Sequence, residues 1–168
     1  SEERYRSIVE QMEDGYFETD LRGYFTFVNE AECRNLGYRA DELIGMSHRQ
    51  ITDEKNAKAL FHLFNSVYRT GKPVKAHASE VIKKDGTIAY NEISVALVKD
   101  AQGQPIGFRG ISRDVTERLM REEKIQYIAT HDALTCLPNR LLFGQLLNHA
   151  IESAKRNRRK LAVFFIDL

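Results

Sequence analysis

The stretch that decides the fold is Val74-Lys75-Ala76-His77-Ala78-Ser79-Glu80-Val81-Ile82-Lys83, then Lys84-Asp85-Gly86, then Ile88-Ala89-Tyr90-Asn91-Glu92-Ile93-Ser94-Val95-Ala96-Leu97-Val98. Two β-favouring runs flank an Asp-Gly pair, and Asp-Gly supplies the turn that a tight hairpin needs. Ile93, Val95 and Leu97 alternate with other residues, so one face of the second strand is expected toward a core and the other toward solvent. A polar loop over residues 99–105, holding Asp100, Gly103 and Pro105, leads to a third strand over residues 106–115.

Upstream, Tyr16-Phe17-Glu18-Thr19-Asp20 and Tyr24-Phe25-Thr26-Phe27-Val28-Asn29 enclose Leu21-Arg22-Gly23, a second hairpin signal. Short helices follow: residues 31–36 stopped by Gly37, and residues 40–44 stopped by Gly45. A longer helix runs from an Asp53 cap to Gly71, with Pro73 at its exit. Its apolar positions Ala57, Leu60, Phe61, Phe64, Val67 and Tyr68 recur at three- and four-residue spacing and are expected to form a buried stripe. Two strands, helices, then three strands describe a single antiparallel sheet covered on one face by helices, an α+β domain.

After residue 115 the character changes. Residues 117–130 are charged and helix-favouring, with Leu119, Ile125 and Ile128 as apolar marks. A turn over residues 132–140 contains Pro138. A second amphipathic helix is expected over residues 141–159, with apolar Leu142, Leu146, Leu147, Ala150, Ile151 and Ala154, followed by an apolar strand over residues 161–168. That strand lacks a sheet among the residues before it, so it should pair with another copy, dock on the α+β domain that precedes it or stay disordered.

Composition narrows the classes. The 168 residues are 42% hydrophobic and 29% charged with a net charge of +1, which describes a globular chain without a field for nucleic acid or an anionic surface. The longest apolar run, Leu161 to Ile166, is far short of the roughly 20 residues that span a bilayer. Ser1-Glu2-Glu3-Arg4 has no signal-peptide character, and two lone thiols, Cys33 and Cys136, fit a reducing compartment. The expectation is a cytoplasmic protein without membrane insertion in this segment. The basic run Lys155-Arg156-Asn157-Arg158-Arg159-Lys160 has no interleaved aromatics and ends a helix, where cations are favoured anyway, so no nucleic-acid partner is expected.

Several segments together resemble a PAS sensor domain with its C-terminal extension. They are Asp14-Gly15-Tyr16-Phe17-Glu18-Thr19-Asp20, Val28-Asn29-Glu30-Ala31, Leu36-Gly37-Tyr38, Glu42-Leu43-Ile44-Gly45, Lys84-Asp85-Gly86 and Gly110-Ile111-Ser112-Arg113-Asp114-Val115-Thr116-Glu117-Arg118. His131-Asp132-Ala133-Leu134-Thr135-Cys136-Leu137-Pro138-Asn139-Arg140 is similar to the turn that opens a GGDEF-type diguanylate cyclase domain, and Phe164-Phe165-Ile166-Asp167-Leu168 to its first core strand. Cys136 stands where that family usually has Gly, at an expected small cost. The resemblance implies a PAS-like five-stranded sheet with helices on one face and a hollow between them, then a helical linker and a truncated α/β segment. The expected divisions are 1–115 sensor, 116–130 signalling helix and 131–168 cyclase fragment.

The same resemblance implies functions. The parent protein would be a signal-transduction module making cyclic di-GMP from GTP, with Asp167 and the Leu168 carbonyl as Mg²⁺ ligands and Leu134 near guanine. The fragment itself, lacking the signature hairpin, would be inactive and have no catalytic residue. Asp114 and Thr116 would couple the sheet to the exiting helix, or serve as plain helix caps. A homodimer through the sensor domain and linker helix is expected. The alternative is a non-enzymatic PAS interaction module with a degenerate GGDEF domain. The sensor ligand is open: His62 is the one haem-ligand candidate on the long helix, and Cys33 does not lie in a photoadduct motif, so neither haem nor flavin is expected.

Overall fold

The computed structural model describes residues 2–166, and these form two units that divide after Glu117. The first contains helix α1 (Glu2–Glu10), strands β1 (Gly15–Asp20) and β2 (Phe25–Val28), helices α2 (Glu30–Leu36), α3 (Ala40–Leu43) and α4 (Glu54–Thr70), and strands β3 (Val74–Ile82), β4 (Ile88–Lys99) and β5 (Pro105–Asp114). A 3-10 turn at His48–Ile51 precedes α4. Neither that turn nor α1 was expected from the sequence, although Tyr5, Ile8 and Val9 of α1 stand at i, i+3 and i+4.

All strand pairs are antiparallel, in the order β2-β1-β5-β4-β3. The Lys84-Asp85-Gly86 turn forms as expected: Lys83 N–H reaches the Thr87 carbonyl at 2.8 Å, and Gly86 has φ of +84°. Capping residues set the helix ends. Asn29 and Asp53 accept hydrogen bonds from the first turns of α2 and α4, while Gly37 and Gly71 close those helices in the left-handed conformation.

Helix α4 corrects the expected stripe. Leu60, Leu63, Phe64 and Val67 are buried, whereas Phe61 and Tyr68 face outward at 50% and 48% exposure. The buried set follows strict i, i+3, i+4, i+7 spacing, which places Phe61 and Tyr68 just beyond the edge of the stripe. Phe64 meets Phe108 of β5 edge-to-face with centroids 4.9 Å apart, and Phe17 meets Phe25 at 5.9 Å. The core thus lies between the sheet and α2–α4.

The second unit begins within helix α5 (Thr116–Thr130) and holds α6 (Arg140–Arg156). Between them, Asp132 N–H reaches the Leu137 carbonyl at 2.8 Å and Asn139 N–H reaches the Thr130 carbonyl at 2.9 Å. Asn139 then caps α6 by accepting from Leu142 N–H at 3.1 Å. Helix α6 ends three residues before its expected limit, because Arg158 turns to a φ of +51°. Leu142, Leu147, Ala150, Ile151 and Ala154 are half-buried, but Leu146 is exposed.

Over its described part, residues 161–166, the strand expected at 161–168 is not formed. Residues 161–166 are irregular, and Phe164, Phe165 and Ile166 are 85%, 97% and 82% exposed. A strand exists only through a paired neighbour, and no described strand offers it one.

Candidate functional site

Strand parity turns a set of polar side chains inward. In β3, β4 and β5, Ser79, Asn91 and Ser112 occupy the same buried face as Val81, Ile93 and Phe108. Ser79 sits directly opposite Asn91, Asn91 opposite Asp114, and Ser112 opposite Gly15 of β1. Thr19 of β1 joins them, 3% exposed.

Glu32 enters from above. It lies in the first turn of α2, whose N-cap Asn29 is fully buried and accepts hydrogen bonds from Tyr16 N–H at 2.8 Å and Glu32 N–H at 2.9 Å. The amide of Asn29 donates in turn to the carbonyls of Val9 and Asp14. This four-bond hub fixes α2, and with it the Glu32 carboxylate, over the start of β1. A Cβ at Gly15 would meet Glu32 Oε2, so a larger residue there would displace the carboxylate.

Asn91 Nδ2 donates to Ser112 Oγ at 2.9 Å, and Ser112 stands near enough to the Glu32 carboxyl to favour its charged form. Burial pushes Glu32 up to about 7 against the opposing pull of Ser112. His48 approaches from the 3-10 turn, stacked on Phe64 with centroids 5.5 Å apart and its Nδ1 3.1 Å from the Gly23 carbonyl. A carbonyl can only accept, so Nδ1 carries the proton and Nε2 is left as an acceptor. Burial lowers the His48 pKa, with the Gly23 bond opposing, which favours this neutral form.

These groups enclose a cavity of about 40 Å³. Thr19 Oγ1, Glu32 Oε2, His48 Nε2, Ser79 Oγ and Asn91 Oδ1 are buried without a partner in the chain, and all five residues line it. Buried polar groups are ordinarily satisfied, so five orphans packed around one small, mainly apolar hollow set this region apart from the rest of the core.

The same sheet ends at a second constellation. Asp114, the last residue of β5, accepts from Thr116 N–H at 2.9 Å and from Lys83 Nζ at 3.1 Å. Thr116 Oγ1 accepts from Tyr90 N–H at 2.8 Å, and Val115 N–H reaches the Tyr90 carbonyl at 2.8 Å. Burial opposes the Asp114 charge, but the Thr116 and Lys83 bonds outweigh it and hold the carboxyl below its ordinary range. Asp114 and Thr116 therefore tie the first turn of α5 to β4 and β3.

The other residues singled out by sequence are placed as follows. His62 is exposed on α4 and does not line the cavity, and Cys33 is half-buried against the core. Leu134 is 92% exposed at the turn in the second unit. There Asp132 Oδ1 accepts from the N–H groups of Leu134 and Thr135 and from the Thr135 hydroxyl. Cys136 has φ of +56°, the conformation that explains why glycine suits this position and that costs roughly 1 kcal/mol for other residues. Asp167 and Leu168 lie outside the described residues. Among the described residues, no three His, Cys, Asp or Glu side chains are grouped to hold a metal, and no helix is long and apolar enough to cross a membrane. The cavity residues were missed by sequence reasoning, although polar residues at inward strand parity (Ser79, Asn91, Ser112) were a readable signal.

One antiparallel sheet closed by helices over a small hollow, with its central strand running into an exit helix, defines a single-sheet sensor domain. The chain belongs to the PAS domain family, whose model matches residues 13–117, and residues 129–168 match the diguanylate cyclase, GGDEF domain. It is similar to a diguanylate cyclase of Vibrio cholerae, 24% identical over 90% of this chain and 48% of that protein. A probable diguanylate cyclase, DgcE, of Escherichia coli is 25% identical over 99% of this chain and 15% of its own length. The chain thus spans about half or less of these relatives. A PAS domain of a Colwellia psychrerythraea protein superimposes with a TM-score of 0.64 at 21% identity, over 69% of this chain and 98% of that one.

Proposed function

We propose that the cavity is the input site of a cytoplasmic sensor, and that its state passes through Asp114, Thr116 and α5 to a diguanylate cyclase output. The observation that carries this reading is continuity: Asn91, a cavity residue, is the direct cross-strand partner of Asp114, the residue that anchors α5. A change in how Asn91 and Ser112 are bonded displaces the sheet one residue from the junction, and interfaces of this kind respond in discrete steps. Residues 116–130 act as the signalling helix between a sensor (1–115) and the opening of the cyclase domain (131–168).

In the complete protein the output would be the joining of two GTP molecules into cyclic di-GMP, with Mg²⁺ polarising the phosphates. Asp167 and the Leu168 carbonyl would hold that ion, and Leu134 would meet guanine; its full exposure leaves it available. Two copies must meet for this reaction, and Met120, Ile125 and Ile128 of α5, each more than 60% exposed, supply apolar surface for a homodimer.

The test is a chain extended through a complete cyclase domain, assayed for cyclic di-GMP formation with and without Asp114→Ala. Asp114→Ala should shift the rate severalfold while leaving the cyclase fold intact by circular dichroism. An unchanged rate in a folded variant would remove the junction from the mechanism.

A further inference from the structure

Helix α4 carries a second stripe beside its buried one. Phe61, Asn65 and Tyr68 stand at i, i+4 and i+7 and line a solvent-open groove of about 410 Å³. The β1–β2 turn adds Leu21, Arg22 and Gly23, the 3-10 turn adds His48 and Arg49, and Phe64 and Phe108 complete the lining. Small-molecule sites run to roughly 300–1,000 Å³, a range that this groove enters and the 40 Å³ hollow does not. His48 fastens the two turns together, since its N–H and its Nδ1 both reach the Gly23 carbonyl at 3.1 Å. That clamp brings Arg22, next to Gly23 in sequence, and Arg49, next to His48, to one groove. Among the described residues no Asp or Glu lines it. The acids closest in sequence are engaged: Asp20 accepts from the N–H groups of Arg22 and Tyr24, Asp53 caps α4, and Glu54 pairs with Lys58 at 2.7 Å. The Arg49 guanidinium rests over the Phe61 ring, 5.9 Å from its centroid, so a cation already stands against an aromatic wall.

We infer that this groove binds a small aromatic carboxylate, with its ring against Phe61, Phe64 and Tyr68 and its carboxylate held by Arg22 and Arg49. The guanidinium fork matches a planar carboxylate through two parallel hydrogen bonds, whereas a cationic ligand would be repelled. A neutral aromatic would gain the ring contacts alone. The groove lies outside the hollow, so its occupancy stands or falls separately from the input reading above.

The test is a titration of the ¹⁵N-labelled chain with sodium phenylacetate, with phenethyl alcohol, phenethylammonium chloride and sodium acetate as comparators. Phenylacetate should give saturable shifts at the amides of Gly23, Arg49, Asn65 and Tyr68, and each comparator should bind at least tenfold more weakly. The double variant Arg22→Gln, Arg49→Gln, its fold checked by retained amide dispersion, should bind phenylacetate at least tenfold more weakly and phenethyl alcohol as before. Phe61→Ser should weaken both. Equal binding of phenethyl alcohol by the unmodified chain, or undiminished phenylacetate binding by the double variant, overturns the carboxylate class. Saturation at Ser79, Asn91 and Ser112 without shifts along the groove puts the ligand in the hollow and overturns the groove as its site. No saturation by phenylacetate at any amide overturns the inference outright.

Discussion

Lys83 Nζ lies 3.1 Å from Asp114 Oδ2, an ion pair that reaches from the end of the β3 region across β4 to the last residue of β5. Asp114 also holds Thr116 N–H at 2.9 Å, so one carboxylate fastens both a neighbouring strand and the entry of α5. Asp114→Ala should cost about 1 kcal/mol, the usual worth of such a cap, and speed amide exchange over residues 114–122. Lys83→Met, which leaves the cap intact, should do less. Exchange that stays at its original rate in Asp114→Ala would remove the anchoring role.

Glu32 predicts a pH dependence. Its folded pKa of about 7 lies above the ordinary 4.5. Below the lower value both states are protonated and the buried carboxyl carries no penalty. Between the two values the unfolded chain releases its proton first, so stability falls as pH rises; above about 7 the loss is complete, at about 3 kcal/mol. Urea unfolding of wild type and Glu32→Gln across that range should show their difference growing to this size. A pH-independent difference would mean that Glu32 is compensated in the folded state.

Asn29 is fully buried and its side chain makes four hydrogen bonds, to Tyr16, Glu32, Val9 and Asp14. Asn29→Ala should lower stability by about 3 kcal/mol, combining a lost cap with orphaned backbone groups. Asn29→Asp keeps the acceptor and loses the donors to Val9 and Asp14. Its damage should therefore concentrate in α1, visible as faster exchange there with α2 still protected.

Cys136 adopts a φ of +56° that glycine reaches freely. Cys136→Gly should slow amide exchange over residues 131–139 by an amount equivalent to about 0.5–1 kcal/mol, the strain relief exceeding the entropy of the more flexible unfolded chain. Faster exchange would mean that the thiol contributes contacts that outweigh the strain.

The sequence by itself determined the order of the five strands and of helices α2 to α6, though not α1 or the 3-10 turn. The Asp85-Gly86 turn, the Asp53 cap, the Gly37 and Gly71 stops and strand alternation are local signals, because each acts within a few residues of the chain. The resemblance to a PAS domain, rather than these signals, singled out Asp114 and Thr116 at the point where sheet becomes helix. What sequence left undecided depends on partners distant in the chain. Residues 161–166 have strand character, but pairing decides strand formation, and no described strand pairs with them. Phe61 and Tyr68 are apolar in a helical period, yet the position of the sheet turns them outward. Most of all, Glu32, His48, Ser79 and Asn91 are separated by up to dozens of residues and gain meaning only when the sheet and helices enclose them. There, burial raises the Glu32 pKa and leaves acceptors that no neighbour in the chain can satisfy.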